Sequence, residues 1–455
     1  MQQVIAAIST PAGMGAVGMV RLSGAGAIGL AARVFRPYNE EKSLEGMKGY
    51  RAALGKVYDA DGPVDEVVAI VYRAPKSYTG EDMVELCCHG GSYALGRVLR
   101  LCFEAGAQPA QAGEFTKRAF LGGKMDLSSA EAVMDLVSAQ GKGAMRAALA
   151  AKDGVLAREI EAIADELTAW CAHIAAWTDY PEEDLVPVDE LQLAGDLNRL
   201  AGGMEKLLAG YDRGRLLRQG VSAAIVGRPN VGKSTLMNLL AGDELSIVAH
   251  LPGTTRDVVR ETVSLGGLTL NLLDTAGIRD TDDPVEQEGV ARSRKALESA
   301  DLILAVLDSS EPLQQNDREL LELVRGKNVI AVVNKTDLPA RIDEDELRRD
   351  VPCVVNISAA TGKGRRDLES AVLKALALES ADPAAALIAN ERQRLCLKSA
   401  ADCIGDALDG LAGGVTLDCV CVCLEAGLEH LLTLTGKRAT EAVVDEVFAR
   451  FCVGK

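Results

Sequence analysis

Four things are missing from this 455-residue chain: a long apolar run, a basic leader, a histidine cluster and an excess of positive charge. No apolar stretch reaches the ~18 residues that would suggest a membrane span. The first residues, Met1 to Arg21, lack a basic start followed by an apolar block. No secretory signal is therefore expected, and a cytoplasmic setting is. Only four histidines are present, and none clusters beside the cysteines. The eleven cysteines are dispersed and odd in number, which favours reduced thiols over a disulfide framework. Cys419, Cys421 and Cys423 stand two apart, a spacing unlike that of zinc sites. Small apolar residues packed in a helix account for them better. The formal net charge of −17 argues against nucleic-acid binding over the whole surface. Any contact with RNA would need a local patch or a partner.

What is present is an ordinary globular composition, 48% hydrophobic and 25% charged, in a chain long enough for about three domains. Residues 1–120 alternate short β-rich runs with turns. Candidate strands are Val4–Ile8, Gly18–Leu22, Val67–Tyr72 and Met83–Cys87, with a helix around Ser92–Glu104. At Asp126 the character changes. Ser128-Ser129-Ala130-Glu131 has the form of a capping box, and helical spacing of Val133, Leu136 and Val137 opens a run that lasts to about Thr178. Asp179 to Asp184 breaks it, and a second helical run covers about Asp189 to Arg218.

From Val221 the rhythm becomes strand–loop–helix. Apolar strands read Val221–Val226, Thr269–Leu273, Leu302–Leu307, Val329–Val333 and Val354–Ile357, the pattern of a mainly parallel, doubly wound sheet. After about Ala381 the chain is helical again. The expected fold class is multidomain. It comprises an α+β N-terminal domain (1–120), a discontinuous helical domain (121–218 and 381–455) and an inserted α/β Ras-like P-loop domain (219–380).

Gly227-Arg228-Pro229-Asn230-Val231-Gly232-Lys233-Ser234 matches G-x-x-x-x-G-K-[ST]. It follows an apolar strand and opens a helix, the context the motif requires. Gly227 and Gly232 let the backbone curl without Cβ clashes. The exposed amides and the helix N-terminus suit phosphate oxygens. Lys233 adds charge near the β- and γ-phosphates, and Ser234 offers a hydroxyl to Mg²⁺. Gly253-Thr254-Thr255-Arg256-Asp257 has the place of a first switch, with Thr255 the preferred Mg²⁺ ligand. In Asp274-Thr275-Ala276-Gly277, the aspartate fits the Walker-B role and the Gly277 amide a γ-phosphate contact. Asn334-Lys335-Thr336-Asp337 ends a later strand. Its Asp337 can pair with the guanine N1–H and exocyclic amine, which adenine does not present, and Asn334 helps fix the loop. Ser358-Ala359 would complete the base pocket. These ordered matches favour GTP over ATP. The residues expected around the nucleotide also include Val231, Thr235 and Lys335.

The residue after Gly277 is Ile278, where Ras-type enzymes carry the glutamine that orients water. Hydrolysis is then very slow, or another group acts. Glu286 is a candidate base, although Asp280, Asp282 and Asp283 beside it also suit a plain charged loop.

Outside these motifs, several stretches resemble the MnmE (TrmE) family of tRNA-modifying GTPases over essentially the whole chain. They are Gly18-Met19-Val20-Arg21-Leu22-Ser23-Gly24, Thr79-Gly80-Glu81-Asp82 with Glu85 and His89-Gly90-Gly91, and Gly113-Glu114-Phe115-Thr116-Lys117-Arg118-Ala119-Phe120-Leu121. Lys124, Asp126-Leu127 and the ending Phe451-Cys452-Val453-Gly454-Lys455 complete them. The resemblance implies an N-terminal domain that forms a homodimer and binds 5-formyltetrahydrofolate or a related one-carbon folate through Arg21, Glu85, Lys124 and Lys455. It implies K⁺-dependent pairing of the GTPase domains, with K⁺ ligands from Asn230, Ala249, Leu251 and Thr254. Ala249 stands where the resemblance implies threonine, a change that main-chain ligation survives. Glu286 matches the family's catalytic acid. A flavoprotein partner, MnmG, would join the dimer in a heterotetramer. Together they would place an aminomethyl or carboxymethylaminomethyl group on C5 of the wobble uridine of certain tRNAs. Cys452 falls on the family's terminal cysteine. The competing expectation is a ribosome-assembly GTPase switch, but the chain has one P-loop and no evident RNA module.

Overall fold

The computed structural model describes residues 3–39, 41, 43–180, 186–242, 261–273, 297–379 and 382–455. They divide into two compact units, Met1–Met134 with Ala157–Val188 and Asp402–Lys455, and Asp135–Leu156 with Asp189–Ala401.

In the first unit a seven-stranded sheet runs in the order β3-β4-β5-β6-β2-β1-β7. The strands are β1 (Ile5–Ile8), β2 (Val17–Ser23), β3 (Phe35–Pro37), β4 (Arg51–Asp59), β5 (Gly62–Tyr72), β6 (Met83–His89) and β7 (Gln108–Pro109). Alternation with period two sorts their side chains. Val20, Leu22, Val57, Val67, Ala69, Val71, Val84 and Leu86 fall on one buried face. Helices Ala27–Val34 and Ser92–Glu104 cover that face with Ile28, Ala31, Leu95 and Val98. Each buried valine, leucine or isoleucine among them contributes roughly 1.5–3 kcal/mol. The opposite face is set by the same register. Ala52, Ile70, Glu85, Arg21 and Ala7 form one cross-strand row, which puts Arg21 beside Glu85.

Helices Leu127–Ser138 and Glu441–Ala449 share an apolar cluster of Leu127, Ala130, Val133, Val444, Val447 and Phe448, with Phe451 just beyond. The helical run expected from Asp126 is real but segmented, as Leu127–Ser138, Lys142–Lys152 and Val155–Asp179. Gly141 precedes the second segment and Gly154, at φ +75, precedes the third. The helix start also differs in detail. Asp126, not Ser128, is the cap, and its Oδ1 accepts from the Ser129 amide at 2.9 Å. A carboxylate one turn ahead satisfies the first amides better than a hydroxyl already inside the helix. Helix Leu417–Thr435 carries the cysteine triplet, of which Cys421 is buried and Cys419 exposed.

The second unit is built on a six-stranded sheet, β13-β12-β11-β8-β10-β9. Its strands are β8 (Val221–Val226), β9 (Glu261–Leu265), β10 (Leu268–Leu273), β11 (Leu302–Asp308), β12 (Val329–Asn334) and β13 (Val354–Asn356). All pairs are parallel except β9 with β10. Every residue of β11 is buried, as expected of a strand with helices on both faces. Helices Lys233–Ala241 and Arg365–Ala375 lie in the core cluster of one face, and helices Gln315–Leu323 and Glu344–Asp350 in that of the other. The nucleotide motifs follow the carboxyl ends of β8, β10, β12 and β13, where open α/β sheets bind ligands.

Strands β3, β4, β7 and β9 have no counterpart in the sequence reading. Arg51–Asp59 reads RAALGKVYD, poor in β-formers, yet it pairs with β5 along its whole length. Tertiary pairing outweighs local propensity there.

Candidate functional site

The turn after β8 has the backbone its glycines predict. Gly227 lies at φ +152 and Gly232 at φ +97, while Asn230 adopts φ +66. Asparagine tolerates this left-handed region better than most residues. A Cβ on Gly227 would strike the Val306 carbonyl oxygen, and one on Gly232 would strike Asn334 Nδ2. Both positions therefore exclude any side chain. Helix Lys233–Ala241 begins directly at the turn, so its first amides and its dipole converge on one point. Lys233 folds across the loop and donates from Nζ to the Gly227 and Arg228 carbonyls at 2.7 and 2.8 Å. Burial pushes its pKa below the ordinary lysine value. Ser234, Thr235 and Asn230 are exposed and accessible to a ligand or cation.

The base-side motifs come to the same place. Asn334, 2% exposed, donates from Nδ2 to the Val231 carbonyl at 2.9 Å and accepts at Oδ1 from the Ala359 amide at 2.9 Å. One side chain thus ties the phosphate loop, the Asn334–Asp337 motif and the Ser358–Ala359 turn together. Asp337 Oδ1 accepts from Ser358 Oγ at 2.6 Å. Lys335 has a left-handed backbone, φ +63, and its Nζ pairs with Asp308 Oδ2 at 2.6 Å. Burial alone would raise the pKa of Asp308. The Lys335 ammonium and two hydrogen bonds from Ser310 outweigh it and hold the carboxyl below its usual range. Arg228, a variable position of the motif, reaches Asp317 at 2.8 Å and Glu311 at 3.0 Å. Asp308, Ser309 and Asp317 carry no motif signal and were not legible in the sequence as site residues. Ala249, Leu251, Thr254, Thr255, Asp274, Thr275, Ala276, Gly277 and Glu286 lie outside the described residues.

A second constellation lies on the outer face of the first unit's sheet. Arg21 donates from Nε and Nη2 to Glu85 Oε1 at 3.0 and 2.8 Å. Tyr72 donates its hydroxyl to Glu85 Oε2 at 2.8 Å. Burial and this carboxylate push the tyrosine up to about 12, so it remains a donor. The Arg21 guanidinium is 5.6 Å from the ring centres of both Tyr78 and Phe115, within cation–π range.

The chain's last residues dock here. Gly113 donates its amide to the Cys452 carbonyl at 3.3 Å, Phe115 to that of Lys455 at 3.2 Å, and Arg21 Nη1 to that of Gly454 at 3.3 Å. Gly454 sits at φ +93, where a Cβ would strike the Ile8 carbonyl. This tail brings Lys455 to the Arg21–Glu85 pair. Burial and the nearby guanidinium lower the Lys455 pKa. Lys124 donates to the Pro75 carbonyl at 3.1 Å, with its stem 3.4 Å from where a Cβ on Gly80 would lie. The Cys452 thiol is exposed.

Of the four predicted folate residues, the structure therefore joins Arg21, Glu85 and Lys455 by contacts or mutual charge. Tyr72, Tyr78, Phe115 and Gly454 complete the site. Only Phe115 and Gly454 stood in stretches already singled out. Other residues of those stretches act as a brace. Arg118, 8% exposed, binds Glu114 at 2.8 Å, Glu81 at 3.2 Å and the Gln3 carbonyl at 3.0 Å. Glu81 in turn accepts from Ser23 Oγ at 2.7 Å. A buried arginine that is fully paired fixes three segments at once.

Comparison with known proteins gives matches along the whole chain. A family model described as the MnmE helical domain matches residues 127–452, and one described as the GTP-binding protein TrmE N-terminus matches residues 4–124. The tRNA modification GTPase MnmE of Symbiobacterium thermophilum is 43% identical over 458 residues, covering 100% of this chain and 100% of that protein. The protein of the same name from Moorella thermoacetica is 41% identical over 467 residues, again covering 100% of both. Among solved structures, the G domain of the T. maritima FeoB iron transporter is 29% identical, covering 34% of this chain and 98% of that one, with a TM-score of 0.27.

Proposed function

This chain belongs to the MnmE family of tRNA modification GTPases and is a GTP hydrolase, and from that premise we propose that it drives wobble-uridine modification in the cytoplasm. The GTP cycle runs in residues 219–380. The phosphates lie on the Gly227–Ser234 turn, and guanine is selected by Asp337 in a loop locked by Asn334. Ser234 and Thr255 would hold Mg²⁺, which when bound would neutralise developing phosphate charge. Asn230 with Ala249, Leu251 and Thr254 would hold K⁺, which would supply positive charge where other GTPases use an arginine finger. Glu286 orients the attacking water. The exposed, left-handed Asn230 supports the K⁺ reading, since a side chain at that point of the turn is presented to solvent.

In residues 1–120 the homodimer binds a one-carbon folate. Arg21 pairs with Glu85, and the Lys455 ammonium lies close enough to Arg21 to feel its charge. The Arg21 guanidinium and Lys455 ammonium offer donors to a ligand carboxylate, and Glu85 fits an N–H edge. The folate supplies the one-carbon unit. Arg21, held by Glu85, orients the ligand, and the docked tail excludes water from one side. Lys124 and Cys452 remain candidates for contact with the ligand or partner. The flavoprotein MnmG joins the dimer in a heterotetramer that acts on tRNA.

The observation that carries this reading is the end-to-end match to proteins named tRNA modification GTPase MnmE, N-terminal unit included. A ribosome-assembly switch would not need that unit. The test is a strain lacking the gene, with its tRNA analysed by mass spectrometry. The wobble uridine loses its C5 group, and the native chain restores it. Unchanged modification in the deletion strain overturns the proposal, and a defect in ribosomal subunits alone would favour the switch.

A further inference from the structure

The stretch Asp308–Asp317 belongs to none of the guanine-nucleotide motifs, yet it grips both ends of the nucleotide site. At one end the Asp308 carboxylate holds Lys335 Nζ at 2.6 Å. Ser309 donates its amide to the Asn334 carbonyl at 2.9 Å and its hydroxyl to the Lys335 carbonyl at 2.8 Å. At the other end, Glu311 and Asp317 hold Arg228 of the phosphate loop. The stretch is itself anchored, since the Ser309 carbonyl accepts from the amides of Arg341 and Ile342 at 2.7 and 3.2 Å. Asp308 is 6% exposed and in parallel register with Asn334 across β11 and β12. It therefore reports the position of the sheet itself.

The consequence falls on Asp337. The Lys335 carbonyl accepts from the Leu338 amide at 2.9 Å, closing a turn with Asp337 inside it. Lys335 keeps a left-handed backbone, φ +63, which a side chain disfavours. Such a conformation persists when its surroundings over-determine it. Here the surroundings are the ammonium grip of Asp308 and the carbonyl grip of Ser309. We propose that Asp308 and Ser309 are positioning residues for guanine selection, holding the Lys335 turn so that Asp337 meets the base edge. The inference rests on the reading of Asp337 as the guanine-selecting residue.

The test compares GDP with inosine diphosphate, which lacks the exocyclic amine that Asp337 addresses. Fluorescent GDP is displaced by each competitor from the full chain, for the native form, Asp308→Asn and Ser309→Ala. Asp308→Asn keeps the side-chain shape and removes the charge. It should weaken GDP about tenfold and inosine diphosphate, which keeps the N1–H but lacks the amine, by only about threefold. Ser309→Ala should reduce the GDP preference about threefold in the same direction. It decides the matter alone if Asp308→Asn does not fold. A merely structural role would weaken both nucleotides equally. Equal weakening, or an unchanged GDP to inosine diphosphate ratio in both variants, overturns the proposal. A native chain with no preference between the two nucleotides overturns the base-pocket reading instead, and this proposal with it.

Discussion

Replacing Gly454 by alanine should empty the proposed folate site of its tail without unfolding the protein. Two costs add. At φ +93 an alanine pays roughly 1–2 kcal/mol for the left-handed backbone. Its Cβ also meets the Ile8 carbonyl and lies 3.0 Å from Ser9 Cα, so the tail must move away from β1. Movement breaks the bond from Arg21 Nη1 to the Gly454 carbonyl, a charge-assisted contact of roughly 1.5–3 kcal/mol. The total, about 2.5–5 kcal/mol, falls on a few terminal residues whose docking rests on a handful of main-chain bonds. The tail detaches and carries Lys455 with it, while the sheet beneath keeps its core. Affinity for 5-formyltetrahydrofolate should fall roughly 10²-fold, as loss of one cation and its closure implies. Titration calorimetry of the native chain and Gly454→Ala with that ligand measures it, and GDP affinity in the same samples serves as the control for folding. Hydrogen exchange at the Phe115 amide, which the Lys455 carbonyl protects, should accelerate in parallel. Native-like folate binding by Gly454→Ala would refute the assignment of the tail to the site.

Gly232→Ala should lose nucleotide binding by about 10²-fold or more, because its Cβ collides with Asn334 and its φ of +97 is strained; stopped-flow binding of fluorescent GTP checks this. Lowering the pH should remove the contribution of the Asp308–Lys335 pair in a defined window. The native carboxyl sits below its ordinary value of 3.8, so the pair's stabilisation is complete above that value and is lost as pH falls through the native pKa. The difference in urea stability between the native chain and Asp308→Asn should be flat near neutrality and close only in acid. GTP turnover should be stimulated roughly 10²-fold in K⁺ over Na⁺, the order expected of a transition-state charge. Glu286→Ala should be nearly inactive in either salt, measured as phosphate release.

The legibility of this fold in its sequence depends on how local the signals are. Strand β8 and helix Ser92–Glu104 were readable to the residue, because unbroken apolar runs and clean periodicity need no tertiary help. Strand β4 was not, since Ala52, Gly55 and Lys56 become strand residues only against β5. The helix after Asp126 was legible as helix but not as three pieces, because a lone glycine such as Gly154 reads as tolerated until its φ is known. The nucleotide turn was legible because its glycines and lysine are spaced along one short segment. Asp308 and Ser309 were not, since their partners Asn334 and Lys335 lie far along the chain. The same holds for Tyr72, whose bond to Glu85 depends on pairing of β5 with β6. Arg21 and Glu85 came from family resemblance. Their adjacency is then explained by cross-strand register, a distance that sequence alone does not encode.

Base selection at Asp337 is tested most directly by changing the base. Affinities of GTP, ATP and xanthosine triphosphate should be measured for the native chain and Asp337→Asn. The native chain should prefer GTP over ATP by at least about a thousandfold, the scale on which a site built to pair polar groups rejects a ligand lacking them. Asp337→Asn should weaken GTP and gain xanthosine triphosphate, whose C2 carbonyl accepts where guanine donates. A native chain that binds ATP as tightly as GTP, or a variant whose base preference does not move, would contradict the assignment of this site.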